Sequence, residues 1–494
     1  MSQQNQWDSS IAFIFAMIGA AVGLGNIWRF SYVLYSNGGG SFFIPYLIAI
    51  AIMGIPFLIL EYGVGFTFKE SFSNIMKKIN PKFEVIAWIL VLFVFIVTIY
   101  YMVILSWDLV YLGSSFTFSW GTDAANYFVS TVGGSSNLSN ASFLLIPTTI
   151  GVILLWVVLW FIAHRNVDKG IGKVSKILIP SLFVIMGFII VYALTLPGAG
   201  IGINTLLTPD WSKLTDVNIW LAAFAQIIFS LSMGQAIALT YASYLPENSK
   251  LINNVLIVVA SNSLFEICTA FGVFSILGYM SLQSGTAVAD LVTQGTGLVF
   301  VAYPTVLNVL GQYAYIIGPL FFITVYLAGL TSILSTIEPL AFSIQNKFTW
   351  SRKKTMTTLC LIGAVFSMMY ATAYGGTLLG YVDAFINQIA ILFGVILECI
   401  VFAWICKCEN IIPVLNERSK TIKLGKWWTI IVKFILPIFI AIVWIGGVLD
   451  VISSGSNDQL IVFGILTVIL LALTVIFTRL TATNKDWDET EHRL

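Results

Sequence analysis

Residues 20–30, AAVGLGNIWRF, place groups capable of chemistry inside an apolar stretch long enough to cross a membrane. Gly23 and Gly25 are poor helix formers, and Asn26 adds an amide beside them. A backbone that leaves the helix at this depth is tolerated only where it is buried in protein or lines a cavity. Because freed N–H groups attract anions and freed carbonyls coordinate cations, the stretch predicts a site for charged ligands within the membrane.

A second stretch, residues 230–235 with the sequence SLSMGQ, interrupts a later apolar segment in the same way. The two interruptions lie in predicted spans 1 and 6, five spans apart, so the second half of the chain must have the opposite orientation to the first. Matching breaks in inverted halves are typical of a binding site at the repeat interface. Small residues that let helices pack closely would explain either break alone, but explain the two together less well.

The composition of the chain predicts the membrane-spanning helices that position these residues. Of the 494 residues, 58% are apolar and 10% are charged, so apolar runs of membrane-spanning length recur. We predict twelve spans, at residues 10–35, 41–68, 85–112, 144–163, 174–195, 216–241, 252–282, 313–345, 355–373, 380–405, 428–450 and 459–478.

The spans predict an all-α integral membrane protein with a single domain over residues 1–494. Its first five-helix repeat covers 10–195, the inverted second repeat covers 216–405, and two additional spans cover 428–478. No segment resembles a separate soluble domain.

Lys and Arg residues are concentrated in alternate loops, which sets the predicted orientation. They cluster at residues 69–82, 165–176, 347–354 and 407–426, whereas the loop between spans 3 and 4 has none. Because cytoplasmic loops retain positive charge, we expect both termini in the cytoplasm. The expected location is the plasma membrane of a prokaryotic cell.

Several motifs carry a family resemblance. They are GAAVGLGNIWRF at 19–30, NGGGSFFIPY at 37–46, GIPFLILE at 54–61, IYY at 99–101, FSLSMG at 229–234 and AGLTS at 328–332. With them the chain resembles the neurotransmitter:sodium symporter family along nearly its whole length, in particular the family's bacterial leucine transporter branch. The family fold is the inverted five-plus-five repeat with broken helices 1 and 6 and two further spans.

The resemblance implies two sodium sites built from oxygen ligands. Those of the first are the Ala21 carbonyl, Asn26, Ser230, Asn262 and a substrate carboxylate oxygen. Those of the second are the carbonyls of Gly19, Val22 and Ala328 with the hydroxyls of Thr331 and Ser332. A lone Thr-Ser pair in a span more often bonds to its own helix, so only the whole set favours sodium.

The resemblance also implies an amino-acid site. The substrate carboxylate would rest on the amides of Leu24 and Gly25 and the Tyr101 hydroxyl, and the ammonium on oxygens of Ala21, Phe229 and Ser232. Monoamine-transporting members carry an Asp at the position of Gly23. Because this chain has no carboxylate there, we expect a substrate that brings its own.

The residues expected around the substrate side chain are Ala20, Val97, Phe229, Gln235, Ser332 and Thr336. Gln235 and Thr336 stand where the leucine transporter branch has Phe and Ile. A buried amide or hydroxyl needs a partner. A polar substrate, water or neighbouring backbone could each provide it, so the expectation stays at a neutral amino acid.

Charged residues near the ends of the site are expected to act as gates. Arg29 and Asp383 match the family's extracellular pair, and intramembrane charges are rare enough to suggest function. The usual cytoplasmic salt bridge is absent, because Gln4 and Asn346 occupy its positions, while the adjacent Trp7 is kept.

Glu266 lies four residues after Asn262, on the same helix face. A protonated Glu bonded to a neighbouring helix is one explanation. By resemblance, Glu266 instead replaces the chloride of chloride-dependent members, surrounded by Tyr46, Gln226 and Ser230. Transport should then not require chloride.

Together these features predict a sodium-coupled symporter that imports a neutral amino acid by alternating access. A membrane enzyme is disfavoured, because the chain has two histidines and no nucleophile motif. A nutrient receptor or a channel on the same fold remains an alternative. The expected partners are a small amino acid, sodium and the lipid bilayer, with no organic cofactor and no nucleic acid; the sequence leaves the oligomeric state open.

Overall fold

The computed structural model describes residues 6–134, 139, 142–292, 295–419 and 421–488. Throughout these residues the ordered backbone is helical, and an isolated bridge between Leu144 and Thr372 is the single β contact. The expectation of an all-α chain is confirmed.

Seventeen helices form the body of the described chain when continuous helical turns are counted as one. They are α1 Ser10–Ala21, α2 Leu24–Ser36, α3 Gly39–Phe68, α4 Phe72–Ile79, α5 Pro81–Ser114, α6 Ile146–Ala163, α7 Asp168–Leu194, α8 Ala199–Leu207, α9 Val217–Ser230, α10 Ile237–Ser243, α11 Leu251–Ser284, α12 Leu298–Val309, α13 Gly311–Phe348, α14 Arg352–Ser367, α15 Gly375–Ile405, α16 Lys426–Ser454 and α17 Asn457–Arg479. Further helical turns lie in the connections.

Nine of these helices, within the described residues, are long and apolar enough to cross a membrane. The α1–α2 pair, bent by 53°, makes a tenth candidate. The remaining predicted spans correspond to α9 with α10 and to α14, which are too short to qualify alone. A multi-pass membrane protein is therefore supported, while the count of twelve spans and the repeat remain predictions.

Some predicted span limits are wrong by several residues, for one physical reason. The span predicted at 174–195 begins at Asp168, because a wide helical turn over Asp168–Gly172 continues the helix through polar residues. The span predicted at 355–373 ends at Ser367, where a tighter turn takes over. Hydropathy marks the apolar part of a helix rather than its hydrogen-bonded ends.

The central helices are α5 and α13. In their most apolar stretches of 18 residues, 78% and 72% of the residues are buried. By contrast, only 17% of the corresponding stretch is buried in α16 and in α17. Their apolar side chains therefore face outward on the rim of the bundle. The bilayer would cover this surface, because an apolar helix face needs no partner in lipid. The centre of the bundle therefore positions the site.

Two helices are interrupted inside this centre. The first leaves the helical conformation at Val22 and Gly23, and Gly23 N–H caps the next helix by donating to Asn26 Oδ1 at 2.9 Å. The second is interrupted over residues 231–236, where Ser232 and Ala236 have φ of 52° and 56°. Non-glycine residues rarely adopt this left-handed conformation, and it is often found at functional sites.

Candidate transport site

A cavity of about 780 Å³ lies where the two interruptions meet. All eleven residues expected to contact the substrate line it: Ala20, Ala21, Leu24, Gly25, Val97, Tyr101, Phe229, Ser232, Gln235, Ser332 and Thr336. The first interruption, α5, the second interruption and α13 each contribute part of this wall. The structure thus brings together residues more than 300 positions apart in the sequence.

Two hydrogen bonds hold the first interruption. Leu24 N–H donates to the Tyr101 hydroxyl at 3.0 Å, and the Ser332 side chain lies close to this hydroxyl. Ser332 Oγ donates to the Gly19 carbonyl at 3.1 Å. The Leu24 amide expected to hold the substrate is therefore bonded to Tyr101 in this conformation.

Gly25 leaves open space at the start of α2. A Cβ placed there would meet no atom within 4 Å, so a ligand could approach the N-terminus of this helix. Helix N-termini favour anions. The second interruption is tied to the first, since Ser232 Oγ donates to the Ala20 carbonyl at 2.9 Å.

The side chains expected at the first sodium site form one connected cluster. Asn26 Nδ2 donates to Asn262 Oδ1 at 2.8 Å, and Asn262 Nδ2 donates to Ser230 Oγ at 2.6 Å. Their oxygens are the hard, mostly neutral ligands that suit an alkali cation. The described residues hold no group of three or more His, Cys, Asp or Glu placed to bind a metal ion.

The residues expected at the second sodium site lie between α1 and α13. Thr331 Oγ1 donates to the Ala328 carbonyl at 3.0 Å, while Ser332 bonds to Gly19 across the helices. A Cβ added at Gly19 would lie 2.8 Å from the Thr331 Cβ, so the two backbones are in contact here. The Val22 carbonyl leaves the helical direction at the same level, with ψ of 93°.

Glu266 is completely buried and surrounded by hydrogen-bond donors. Its oxygens accept from the Tyr46 hydroxyl at 2.6 Å, from Gln226 Nε2 at 2.8 Å and from Asn26 Nδ2 at 3.2 Å. The Ser230 side chain lies close to the same carboxyl group. Each of these groups can donate a hydrogen bond, so both oxygens of Glu266 can act as acceptors.

Asn26 therefore has a second contact that the sequence did not predict. It reaches both Asn262 and Glu266, so the expected cation ligands and the buried carboxylate belong to one network. The signal that could have found this contact is the spacing of Asn262 and Glu266, one helical turn apart on α11.

The expected extracellular pair is not closed in this conformation. The Arg29 guanidinium lies over the Phe229 ring, with Cζ 4.1 Å from its centroid, and Asp383 accepts from the Tyr100 hydroxyl at 2.9 Å. Among the described residues no ion pair joins Arg29 to Asp383. Both line the cavity together with Val129 and Gly295, which lie in loops predicted to be external, so the cavity extends to that side.

The opposite end is sealed. Trp7 is 2% exposed, its Nε1 donates to the Tyr241 carbonyl at 2.8 Å, and its backbone N–H donates to the Tyr244 carbonyl at 3.0 Å. Gln4 lies outside the described residues. Asn346 donates to Glu70 at 2.7 Å.

An ion pair near Trp7 was missed in the sequence. Arg352 binds Glu338 through two hydrogen bonds of 2.6 and 2.9 Å, and the Tyr244 hydroxyl donates to the same carboxylate. An acidic residue inside an apolar span, directly before Pro339, was the available signal. The pair joins α13 to α14 beside the sealed end.

We expect Glu338→Ala to lower the free energy of unfolding by about 3–5 kcal/mol, because it leaves Arg352 buried without its partner. Thermal unfolding of the purified protein in detergent measures this change. Glu409→Ala is the control, because its pair with Lys433 is 44% exposed on the Glu side, and such pairs contribute about 0–1 kcal/mol. Equal shifts for the two variants would contradict the assignment.

A helical bundle in which two interrupted helices meet at a central cavity, beside clustered oxygen ligands, has the architecture of a secondary transporter. The family model of the sodium:neurotransmitter symporter family matches residues 4–142 and 145–481, and the chain belongs to this family. It is thus a membrane transporter of a sodium-symporting family rather than an enzyme.

Relatives extend over most of the chain. An uncharacterized sodium-dependent transporter of Methanocaldococcus jannaschii is 35% identical over 492 residues, which is 98% of this chain and 99% of the relative. A sodium- and chloride-dependent taurine transporter of Canis lupus familiaris is 30% identical over 83% of this chain and 72% of its own length. A sodium-dependent serotonin transporter of Drosophila melanogaster is 28% identical, covering 89% of this chain and 75% of its own.

Proposed function

We propose that the protein is a sodium-coupled symporter that imports a neutral amino acid without requiring chloride. The observation that carries this proposal is the single cavity shared by both interruptions, with oxygen clusters on either side of it. The two clusters correspond to two sodium ions. Both ions are cargo, so their gradient supplies the driving force.

The substrate class follows from the charges around the cavity. No carboxylate stands at Gly23, and the acid among the lining residues, Asp383, is held by Tyr100 and Asn387. A substrate ammonium would therefore rest on carbonyls, and its carboxylate on the first sodium ion and the start of α2. A basic side chain would find no free carboxylate among the described lining residues. Arg29 is the cation of the described wall, and in the proposed cycle it closes onto Asp383 rather than binding the substrate, which favours a neutral amino acid.

Alternating access is consistent with the two ends of the site. Closing Arg29 onto Asp383 would cover the cavity on the external side. Release to the cytoplasm would require Trp7 to leave Tyr241 and Tyr244. With both termini in the cytoplasm, this sequence of movements imports the substrate into a prokaryotic cell.

The test of this function is uptake into proteoliposomes that contain the purified protein. A mixture of the twenty labelled amino acids is offered with an inward sodium gradient and, separately, with potassium. We expect labelled amino acid to accumulate with the sodium gradient and not with potassium. A receptor would bind label without accumulating it, and equal uptake with potassium would contradict sodium coupling.

Chloride independence is proposed from Glu266, whose carboxylate, when ionised beside a sodium ion bound at the Asn26 cluster, would offset the charge of that ion. Replacing chloride with gluconate should leave uptake by the unmodified protein unchanged. Glu266→Ser removes the charge and opens space for an anion, so its uptake should fall about tenfold or more in gluconate and recover in chloride.

Glu266→Gln is the matched control, because it removes the charge but leaves no space for chloride. Its uptake should stay low in both salts. An unmodified protein that needs chloride, or a Glu266→Ser variant indifferent to it, would overturn this part of the proposal.

A further inference from the structure

The side-chain amide of Gln235 lies where it could contact the side chain of the substrate. Gln235 is 7% exposed and lines the cavity from the second interruption. Four amide side chains line this cavity among the described residues: Asn26, Gln226, Gln235 and Asn387.

Three of these four amides lie beside a carboxylate. Asn26 and Gln226 donate to Glu266, and Asn387 lies close to Asp383. Gln235 makes no hydrogen bond to any described residue. The amide faces the volume that a ligand would fill, and once a ligand excludes water from the cavity an amide without a partner is costly.

The hydroxyl of Thr336, on the same cavity wall, does have hydrogen-bond partners. Thr336 Oγ1 accepts from Thr98 at 2.9 Å and donates to the Ile333 carbonyl at 3.1 Å. Thr336 therefore already has partners from the protein. Of the two polar residues that distinguish this pocket in the sequence, Gln235 is the one that lacks a partner.

We infer that the transported amino acid carries a neutral hydrogen-bonding side chain, a hydroxyl or an amide, which pairs with Gln235. This inference rests on the proposed function and narrows it. A glutamine amide offers one acceptor and two donor hydrogens, so it can pair with either group. Sites built to bond a polar group reject the apolar analogue strongly, because the buried partner is then left unpaired.

The test is a binding panel of four near-isosteric pairs: Thr and Val, Asn and Leu, Gln and Met, Tyr and Phe. Binding to the purified protein is measured by thermal shift in sodium chloride and in potassium chloride. For the pair whose size fits the pocket, we expect the polar member to bind about tenfold or more tightly.

Gln235→Met keeps the length of the side chain and removes the amide, so it should abolish or reverse that preference. Thr336→Val, in the same wall, is the matched control: it changes the pocket, but the ratio between pair members should persist. Because the unmodified protein alone tests the preference, a variant that fails to fold does not remove the test.

The outcomes separate the two proposals. Sodium-dependent binding of Val, Leu, Met or Phe in preference to its polar counterpart overturns this inference and leaves the amino-acid symporter standing. A preference that survives in Gln235→Met also overturns it. If none of the twenty amino acids binds in sodium, the proposed function fails and the inference fails with it.

Discussion

Replacing Asn26 with alanine is expected to weaken sodium binding about 10- to 100-fold, because it removes an oxygen ligand and the link between Asn262 and Glu266. The loss also removes the cap that Gly23 N–H makes at the start of α2. Sodium coupling and the geometry of the first interruption would thus be impaired together.

The measurement is the rise in melting temperature with sodium chloride, against potassium chloride as the reference salt, since a ligand that binds the folded state stabilises it by mass action. Asn262→Ala should behave like Asn26→Ala. Asn410→Ala, at an exposed cytoplasmic position by our orientation, is the control and should titrate as the unmodified protein does. A sodium titration of Asn26→Ala within twofold of the unmodified protein would show that this cluster is not a sodium site.

The second large effect is expected for Gly23→Asp, which should weaken amino-acid binding by about 100-fold or more. The new carboxylate would stand beside the substrate's own, and like charges about 4 Å apart in a partly desolvated site repel by several kcal/mol. The same variant should bind the amine that corresponds to the best substrate without its carboxylate more tightly than the unmodified protein does.

Crowding must be separated from charge at this position. A Cβ at Gly23 would lie 2.8 Å from Ser332 Oγ and 3.1 Å from the Tyr101 hydroxyl, so Gly23→Ala alone should cost several-fold in affinity. The effect of the charge is the difference in amino-acid affinity between the Gly23→Asp and Gly23→Ala variants. Equal affinities of the two variants for the amino acid would place its carboxylate elsewhere.

The interruptions were predictable because they place glycine, asparagine and serine where hydrocarbon requires a regular apolar helix. The family resemblance also indicated which residues would share the cavity, because each motif could be matched position by position. Gly23 illustrates this: its lack of a side chain is visible in the sequence, and its neighbours Tyr101 and Ser332 were both expected nearby.

Other contacts depend on rotations and conformations that a sequence does not encode locally. Thr98 donates a hydrogen bond to Thr336, which lies 238 residues away in the sequence. Hydropathy does not indicate how either helix is rotated about its axis, so it could not predict this bond. Arg29 and Asp383 are matched by position, but whether they touch depends on which side is open. Glu338 and Arg352 meet only because the chain reverses direction between α13 and α14.

The lining of the cavity has a practical consequence for chemical labelling. None of the five cysteines lies on its wall; Cys268 is partly exposed on α11, and the other four are buried elsewhere. A thiol introduced at Val129 or Leu379 would therefore react with a membrane-impermeant maleimide against a nearly silent background. Its rate of modification would report the fraction of time for which the mouth beside Arg29 and Asp383 is open, without removal of a native cysteine.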